Sequence, residues 1–439
     1  MTRVNIIKNA SWIVAGQIAK ALIGLVISML TARYLGPSNF GLINYAAALV
    51  AFFVPVMYLG FDSILVREIV NRPESEGKTL GTALLFSFIS SIACIAGIVC
   101  FTSIAHPGEK ATIIVCALYS TLLIFQSLEL LRFWFQAKLL SKYASIISVA
   151  AYLIVSAYKV YLLASGKSVY WFAVSNALDY MLIAAGFYIM YNKLSPQRLS
   201  VSFPLGWEML KSGKFFIISS MMVVIFAQTD RVMLKFMMGD AAVGYYSAAV
   251  TCANLVAFVF VAIIDSMRPT IFDSKKTDQA AFEFKVSQLY SIIIYASLCV
   301  SLLLAICSYP VVRILYGADY LPAVNALRII VWYTTFSYLG SVRNIWIVAE
   351  GKERVLWIIN LSGALANVAL NFALIPLWGI NGAALASLLT QIFTNVIIGY
   401  IIRYISPNNA LMSRGLSPKL VTGISREVIA MLRDRFKKA

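Results

Sequence analysis

Segments of about twenty apolar residues recur along this chain from end to end, and that recurrence limits the fold more than any single motif does. A helix rises about 1.5 Å per residue and a bilayer's hydrocarbon core is roughly 30 Å thick, so each segment is long enough to cross a membrane. Twelve spans are expected, near 11–32, 42–64, 80–101, 111–129, 143–164, 169–191, 215–236, 243–265, 286–309, 323–345, 356–377 and 380–402. Between them no stretch is left to fold as a soluble domain. Hydrophobic residues make up 61% of the chain and charged residues 13%, against about 45–50% and about 25% in soluble domains. The expected fold is an all-α polytopic membrane protein. The first apolar run is too long for a signal peptide, contains Gln17 and Lys20, and lacks a small-x-small cleavage site, so it reads as a retained span.

A formal net charge of +17 could suggest nucleic acid, but the placement of the charge argues otherwise. With the N-terminus taken as cytoplasmic, 26 of the 36 Lys and Arg residues fall in the alternate loops and the tail, and five (Arg33, Lys110, Lys167, Lys235, Arg313) in the opposite loops. That asymmetry follows the positive-inside rule and predicts both termini in the cytoplasm. The tail carries Val428, Ile429, Leu432 and Phe436 at roughly helical spacing among basic residues, the pattern of a helix lying on anionic lipid.

All six cysteines (Cys94, Cys100, Cys116, Cys252, Cys299, Cys307) fall within spans at no metal-ligand spacing, and the only histidine, His106, sits in a short loop. No cofactor is expected. The "GKS" at 166–168 lacks the first glycine of a nucleotide-binding loop, because Tyr161 stands there. Uphill transport would then draw on an ion gradient, with H+ or Na+ as coupling ion, on a partner, or on consumption of the product. An active site is not visible either: the extracytoplasmic loops are short, and paired carboxylates for acid and base work are missing there.

Sliding the chain against itself by 203 residues aligns Gly36 with Gly239, Gly41 with Gly244, Ala46 with Ala249, and Asp62–Ser63 with Asp265–Ser266, without a gap over 56 residues. The shift superimposes spans 1 and 2 on spans 7 and 8. Because it crosses an even number of spans, it defines a parallel repeat about an axis along the membrane normal, an arrangement many secondary transporters use to enclose a central site. The expected domains are a six-helix bundle at 1–192, a cytoplasmic linker at 193–214, a second six-helix bundle at 215–404 and a basic cytoplasmic tail at 405–439.

Five basic residues remain inside spans: Lys20, Lys159, Arg231, Arg328 and Arg343. Facing lipid at mid-membrane, five such groups would cost up to ~15 kcal/mol, as much as a typical folding stability. They are therefore expected to line an internal cationic lumen, with snorkelling the alternative, strongest for Arg328 and Arg343 near the ends of span 10. Polar stripes support a lumen: Gln17 with Lys20; Ser145, Ser148, Tyr152, Ser156 and Lys159; Gln228 with Arg231; Asn360, Asn367 and Asn371; Ser387, Gln391 and Asn395. A cationic cavity attracts anions, and arginine suits phosphate because its planar donors bind two oxygens at once. Asp179 and Asp230, together with Asp62 and Asp265 of the repeated "DS", are the candidates for coupling or gating.

Five stretches carry a family resemblance: "NASWIVAGQIAKALIGLVISMLTARYLGPSNFGLINYAAA", "GFDSILVREI", "QTDRVMLKFMMGDAAVGYYSAA", "YGADYLPAV" and "NFALIPLWGINGAALAS". In this order they resemble the polysaccharide-export branch of the multidrug/oligosaccharidyl-lipid/polysaccharide superfamily, the Wzx-type O-antigen flippases. The resemblance implies two six-helix bundles in a V, as in multidrug exporters. It also implies an undecaprenyl-diphosphate-linked oligosaccharide moved from the cytoplasmic to the periplasmic leaflet of a bacterial inner membrane. A polysaccharide polymerase and a chain-length regulator are the protein partners it suggests. Fourteen-span relatives that flip peptidoglycan precursor fit less well, since no further span is expected after 404. The competing readings are a cation-coupled drug exporter of the same fold, which would place acidic residues deep in a mostly neutral lobe, and a polytopic polymerase or glycosyltransferase, which would need long outer loops.

Overall fold

The computed structural model describes residues 3–418 and 420, with side chains described at Trp12 and from Gly16 onward except Ile18. The amphipathic stretch at Val428–Phe436 lies outside the described residues. The spans expected from the apolar pattern are largely helical, with short breaks at Leu59–Gly60, Thr121, 254–256 and Cys307, since in a bilayer a backbone N–H or C=O must be satisfied within the protein. Buried hydroxyls follow the same rule: Ser91, Ser120, Ser127 and Ser175 each donate to a carbonyl three residues earlier on their own helix.

The chain separates into two compact units, Met1–Ser247 and Ala248–Ala439. The first holds α1 (Arg3–Tyr58), α2 (Phe61–Asn71), α3 (Glu76–Ala105), α4 (Lys110–Ser120), α5 (Leu122–Leu128) and α6 (Leu131–Ala137). It continues through α7 (Ser141–Ala164), α8 (Val169–Leu194) and α9 (Phe203–Met238) into α10 (Asp240–Ala253). Within it α1 packs on α7 and α9, α7 on α8, and α5 on α8. Aromatic rings fill the interior: Trp134 lies 5.0 Å from Tyr191 and Phe135 lies 5.5 Å from Phe187, all four buried.

The second unit holds α11 (Ala257–Thr277), α12 (Gln279–Ile306), α13 (Ser308–Tyr316), α14 (Ala323–Ala349), α15 (Leu356–Trp378) and α16 (Ile380–Ile392). A π-helical turn at Phe393–Ile397 follows, then α17 (Ile398–Ile401) and α18 (Ser406–Gly415). Here α14 is central, packed on α12 and α16, with Phe260 stacked on Tyr338 at 4.5 Å in the core.

The segment 193–214 and α9 are fastened to the first unit. Residues 195–202 run along α3, where the Gly77 N–H donates to the Gln197 side chain at 3.0 Å and the Ser202 N–H to Thr82 Oγ1 at 3.0 Å. By length and composition, nine helices among the described residues can cross a membrane, or ten if α10 and α11, bent by 47°, are one span. The expected number of twelve is therefore not reached on this criterion. One physical reason is visible in α1, where the first two expected spans run together through Gly36. The chain is a multi-pass membrane protein.

Gly36 is the residue at which α1 turns, with φ 71° and ψ 171°, and Gly239 between α9 and α10 repeats it with φ 90° and ψ −175°. Both values lie where L-residues with a Cβ are strained, which explains why glycine recurs at both. Five residues further on in each copy, Gly41 and Gly244 cross. A Cβ on Gly41 would overlap the carbonyl of Asp240, and one on Gly244 the carbonyl of Pro37. Since Pro37 and Asp240 are themselves 203 residues apart, the contact is reciprocal.

Candidate functional site

The polar stripe of α7 faces α1 in the first unit, and two cavities open along their shared face. The first, about 290 Å³, is lined by Gln17 and Lys20 of α1, Ser141, Ser145 and Ser148 of α7, Phe187 of α8, and Glu129, Arg132 and Gln136 from the α5–α6 region. Glu129 is the hub of its acid–base pairing: Arg132 Nη1 reaches its carboxylate at 3.3 Å, and the Tyr58 hydroxyl donates to it at 3.4 Å.

The second cavity, about 180 Å³, lies further along α1 towards Gly36. Its wall contains Gly24, Ser28 and Thr31 of α1, Asn44 after the turn, Tyr119 of α4, Tyr152 and Lys159 of α7, and Asn176 of α8. The Lys159 ammonium donates to Asn176 Oδ1 at 3.0 Å, while the Asn176 amide nitrogen donates to the Phe172 carbonyl at 3.2 Å, which fixes its orientation. Tyr152, in the wall of the second space, also meets Lys20 of the first: Lys20 Nζ lies 5.3 Å from its ring centroid, and its hydroxyl abuts Gly24.

Asp179, a coupling or gating candidate, does not take the Lys159 hydrogen bond; that falls to Asn176, one helical turn earlier on α8, and one Asp179 carboxylate oxygen is buried without a hydrogen-bond partner. Glu129, Arg132 and Gln136 passed unnoticed as the end of span 4 and the loop beyond it. The structure carries helix through Ala137, broken at Thr121 and at Glu129–Leu130. The signal was present, because Gln126, Glu129, Arg132 and Gln136 follow at steps of three, three and four.

The other candidates are held elsewhere. On α9, Arg231 donates from Nε to Ser247 Oγ at 3.1 Å and from Nη1 to Gln228 at 2.6 Å, while neighbouring Asp230, 4% exposed, accepts from the Tyr246 hydroxyl. Asp62 lies in the first turn of α2, and Ser156 is buried on α7. In the second unit, Arg328 donates to Ser308 Oγ at 2.9 Å, and Asp265 pairs with Arg268 at 3.0 Å on the exposed side of α11. Arg343 is 4% exposed and donates to the Thr394 carbonyl in the π-turn, while Gln391 accepts from Asn395 and Asn367 from Asn371 at 3.1 Å.

Beyond the cavities, in the last turn of α9, Lys235, expected in a loop, is 3% exposed at its side chain and sits between Glu109 at 2.6 Å and Asp240 at 2.9 Å, with Thr112 at 3.3 Å. Hydrogen bonds from Lys235 and then Thr112 pull the Glu109 carboxyl down to about 2. Beside it His106 contacts the Tyr45 hydroxyl through Nε2 at 2.7 Å and stacks on Phe236. Burial first, and then the Lys235 charge, lower its pKa, so the ring is neutral at pH 7.

Basic side chains lining cavities between apolar helices of membrane-crossing length mark a polytopic membrane protein, and solved structures share its fold. The structure is similar to a multidrug resistance MATE family transporter in an inward-facing conformation (TM-score 0.69, 12% identity, 91% of this chain and 96% of that one). It is also similar to the lipid II flippase MurJ in an inward closed conformation (TM-score 0.62, 14% identity, 94% and 99%). The chain belongs to the polysaccharide biosynthesis protein family, whose model matches residues 6–275. Among its relatives is a Shigella flexneri protein named for O-antigen transport, 21% identical over 87% of this chain and 94% of that protein.

Proposed function

We propose that this protein is a flippase that carries an undecaprenyl-diphosphate-linked oligosaccharide from the cytoplasmic to the periplasmic leaflet by alternating access. The observation that carries the reading is the charge of the two cavities. Among the described residues that line them, Lys20, Arg132 and Lys159 stand against one acid, Glu129. Such a surface favours an anionic group and repels a cation entering from the cytoplasm. The family and the name of the Shigella relative support a saccharide cargo, and the likeness to MurJ supports a fold able to handle a lipid-linked one. The two repeated bundles, the cytoplasmic termini and coupling to H+ or Na+ belong to the same proposal.

Deleting the gene tests it. Surface polysaccharide should disappear and the lipid-linked repeat unit should accumulate on the cytoplasmic side, both restored by the intact gene. Unchanged surface polysaccharide accompanied by altered resistance to cationic dyes would replace this reading with drug export.

A further inference from the structure

We propose that the Lys159 cavity is a second oxyanion station, occupied by a phosphoryl group of the cargo after it leaves the Lys20–Arg132 cavity, with Tyr152 as the partition between the two. The inference rests on the transport reading above and assigns a step within it.

The two linings are spread along α1, the first at Gln17 and Lys20 and the second from Gly24 to Thr31. Thr31 lies eleven residues beyond Lys20, roughly 16 Å along the helix axis at ~1.5 Å per residue, so a headgroup seated at Lys20 does not reach the far wall of the second cavity and meets it at a later step. Tyr152 closes the direct way between them, with its ring against the Lys20 ammonium and its hydroxyl against α1 at Gly24. A glycine at position 24 is what lets that hydroxyl approach the backbone.

The chemistry of the second cavity points to an anion. Among the described residues that line it none is acidic, in contrast to the first, which contains Glu129. Lys159 has three ammonium donors, of which one is committed to Asn176, so two are left to face the cavity. The Asn176 amide is itself anchored to Phe172, which holds the ammonium in place before any ligand arrives. Ser28, Thr31 and Tyr119 add hydroxyl donors. The volume, about 180 Å³, compares with the roughly 150 Å³ engineered cavity that admits a benzene ring. It holds a phosphoryl group and excludes the oligosaccharide, which must travel outside it.

The test uses the full chain in nanodiscs, with undecaprenyl diphosphate as the binding probe and surface polysaccharide in complemented cells as the transport readout. Lys159→Gln removes the charge and keeps a polar side chain beside Asn176. It should lower probe affinity about fivefold while transport falls at least tenfold, and Lys159→Arg should restore most of both. Direct occupancy is read with Thr31→Cys in a chain whose six native cysteines are replaced. The probe should slow thiol labelling there at least fivefold, and the added Lys159→Gln change should abolish the protection. Unchanged transport in Lys159→Gln, or labelling of Thr31→Cys indifferent to the probe, overturns the station while leaving the flippase reading standing. Protection given equally by phosphatidylglycerol or inorganic phosphate alone overturns it as well, since the site would then be serving bystander anions. Wild-type protein that neither binds the probe nor supports surface polysaccharide sinks the transport reading and the station together.

Discussion

Gly41 and Gly244 occupy the same position in the two copies of the repeat, and each lies against the turn of the other copy, under the carbonyls of Asp240 and Pro37. A methyl group at either site meets backbone, which cannot rotate away as a side chain would. Gly41→Ala and Gly244→Ala are each expected to lower stability by about 1–3 kcal/mol or more, the range for overpacking a filled contact. Because both act on one contact, the double variant should cost less than the sum of the two. Thermal unfolding in detergent measures this, and additive losses would mean that the glycines act independently.

Lys235 tests how a buried cation is held. Its side chain is 3% exposed, while Glu109 and Asp240 are 48% and 27% exposed. Deleting the cation leaves two acids that water can reach; deleting both acids strands a buried charge, which costs about 3–5 kcal/mol. Glu109→Gln with Asp240→Asn should therefore destabilise more than Lys235→Met. The pH dependence has a definite sign. Glu109 is held at about 2, below the usual carboxylate value of 4.5. Its contribution is thus fully present above about pH 4.5 and fades as pH falls towards 2. Unfolding midpoints that stay flat across that window in wild type, relative to Glu109→Gln, would refute the linkage.

Arg343 was expected to face a lumen, and in the second unit its guanidinium donates to the Thr394 carbonyl of the π-turn and to Asn344 at 3.2 Å. The expected effect of Arg343→Met is a loss of about 1–3 kcal/mol, the cost of leaving a buried carbonyl without its donor. Transport per folded molecule should stay within about twofold of wild type. A tenfold drop in transport at unchanged stability would instead put this guanidinium on the path of the cargo.

These residues also mark what the sequence could disclose. Helices and the repeat were legible because bilayer thickness and glycine stereochemistry act locally, at Gly36 and Gly239 as elsewhere. The α7 stripe from Ser145 to Lys159 was legible because 3.6-residue periodicity puts its members on one face. Pairing across helices was not. Nothing in the sequence distance between Lys159, Asn176 and Asp179 says which of the two α8 residues the ammonium reaches, since they lie one turn apart and the choice turns on a small helix rotation. Lys235 was hidden for a related reason: a loop lysine reads as solvated until Glu109 and Asp240, from different segments, are seen to enclose it. Glu129 and Arg132 were missed because a broken helix imitates a loop in a hydropathy pattern.

Glu129 offers the sharpest discrimination between cargo classes. Among the described residues that line the first cavity it is the one acid, beside Lys20 and Arg132, so Glu129→Gln changes the charge of that described lining from +1 to +2. A full charge about 8 Å from an anion, at an effective dielectric of ~20, is worth roughly 2 kcal/mol before screening, and a loss of some of this to screening leaves about a tenfold effect. For an anionic cargo the variant should bind undecaprenyl diphosphate about tenfold more tightly and release it more slowly, so that affinity rises while transport falls. The tighter binding should weaken as salt is raised, which a packing effect would not do. For a cationic cargo the same substitution removes the acid that would oppose it in this lining, and binding should weaken by a similar factor. Unchanged affinity with abolished transport would make Glu129 the carboxylate that carries the coupling cation, and would move the energy source of the cycle into this cavity.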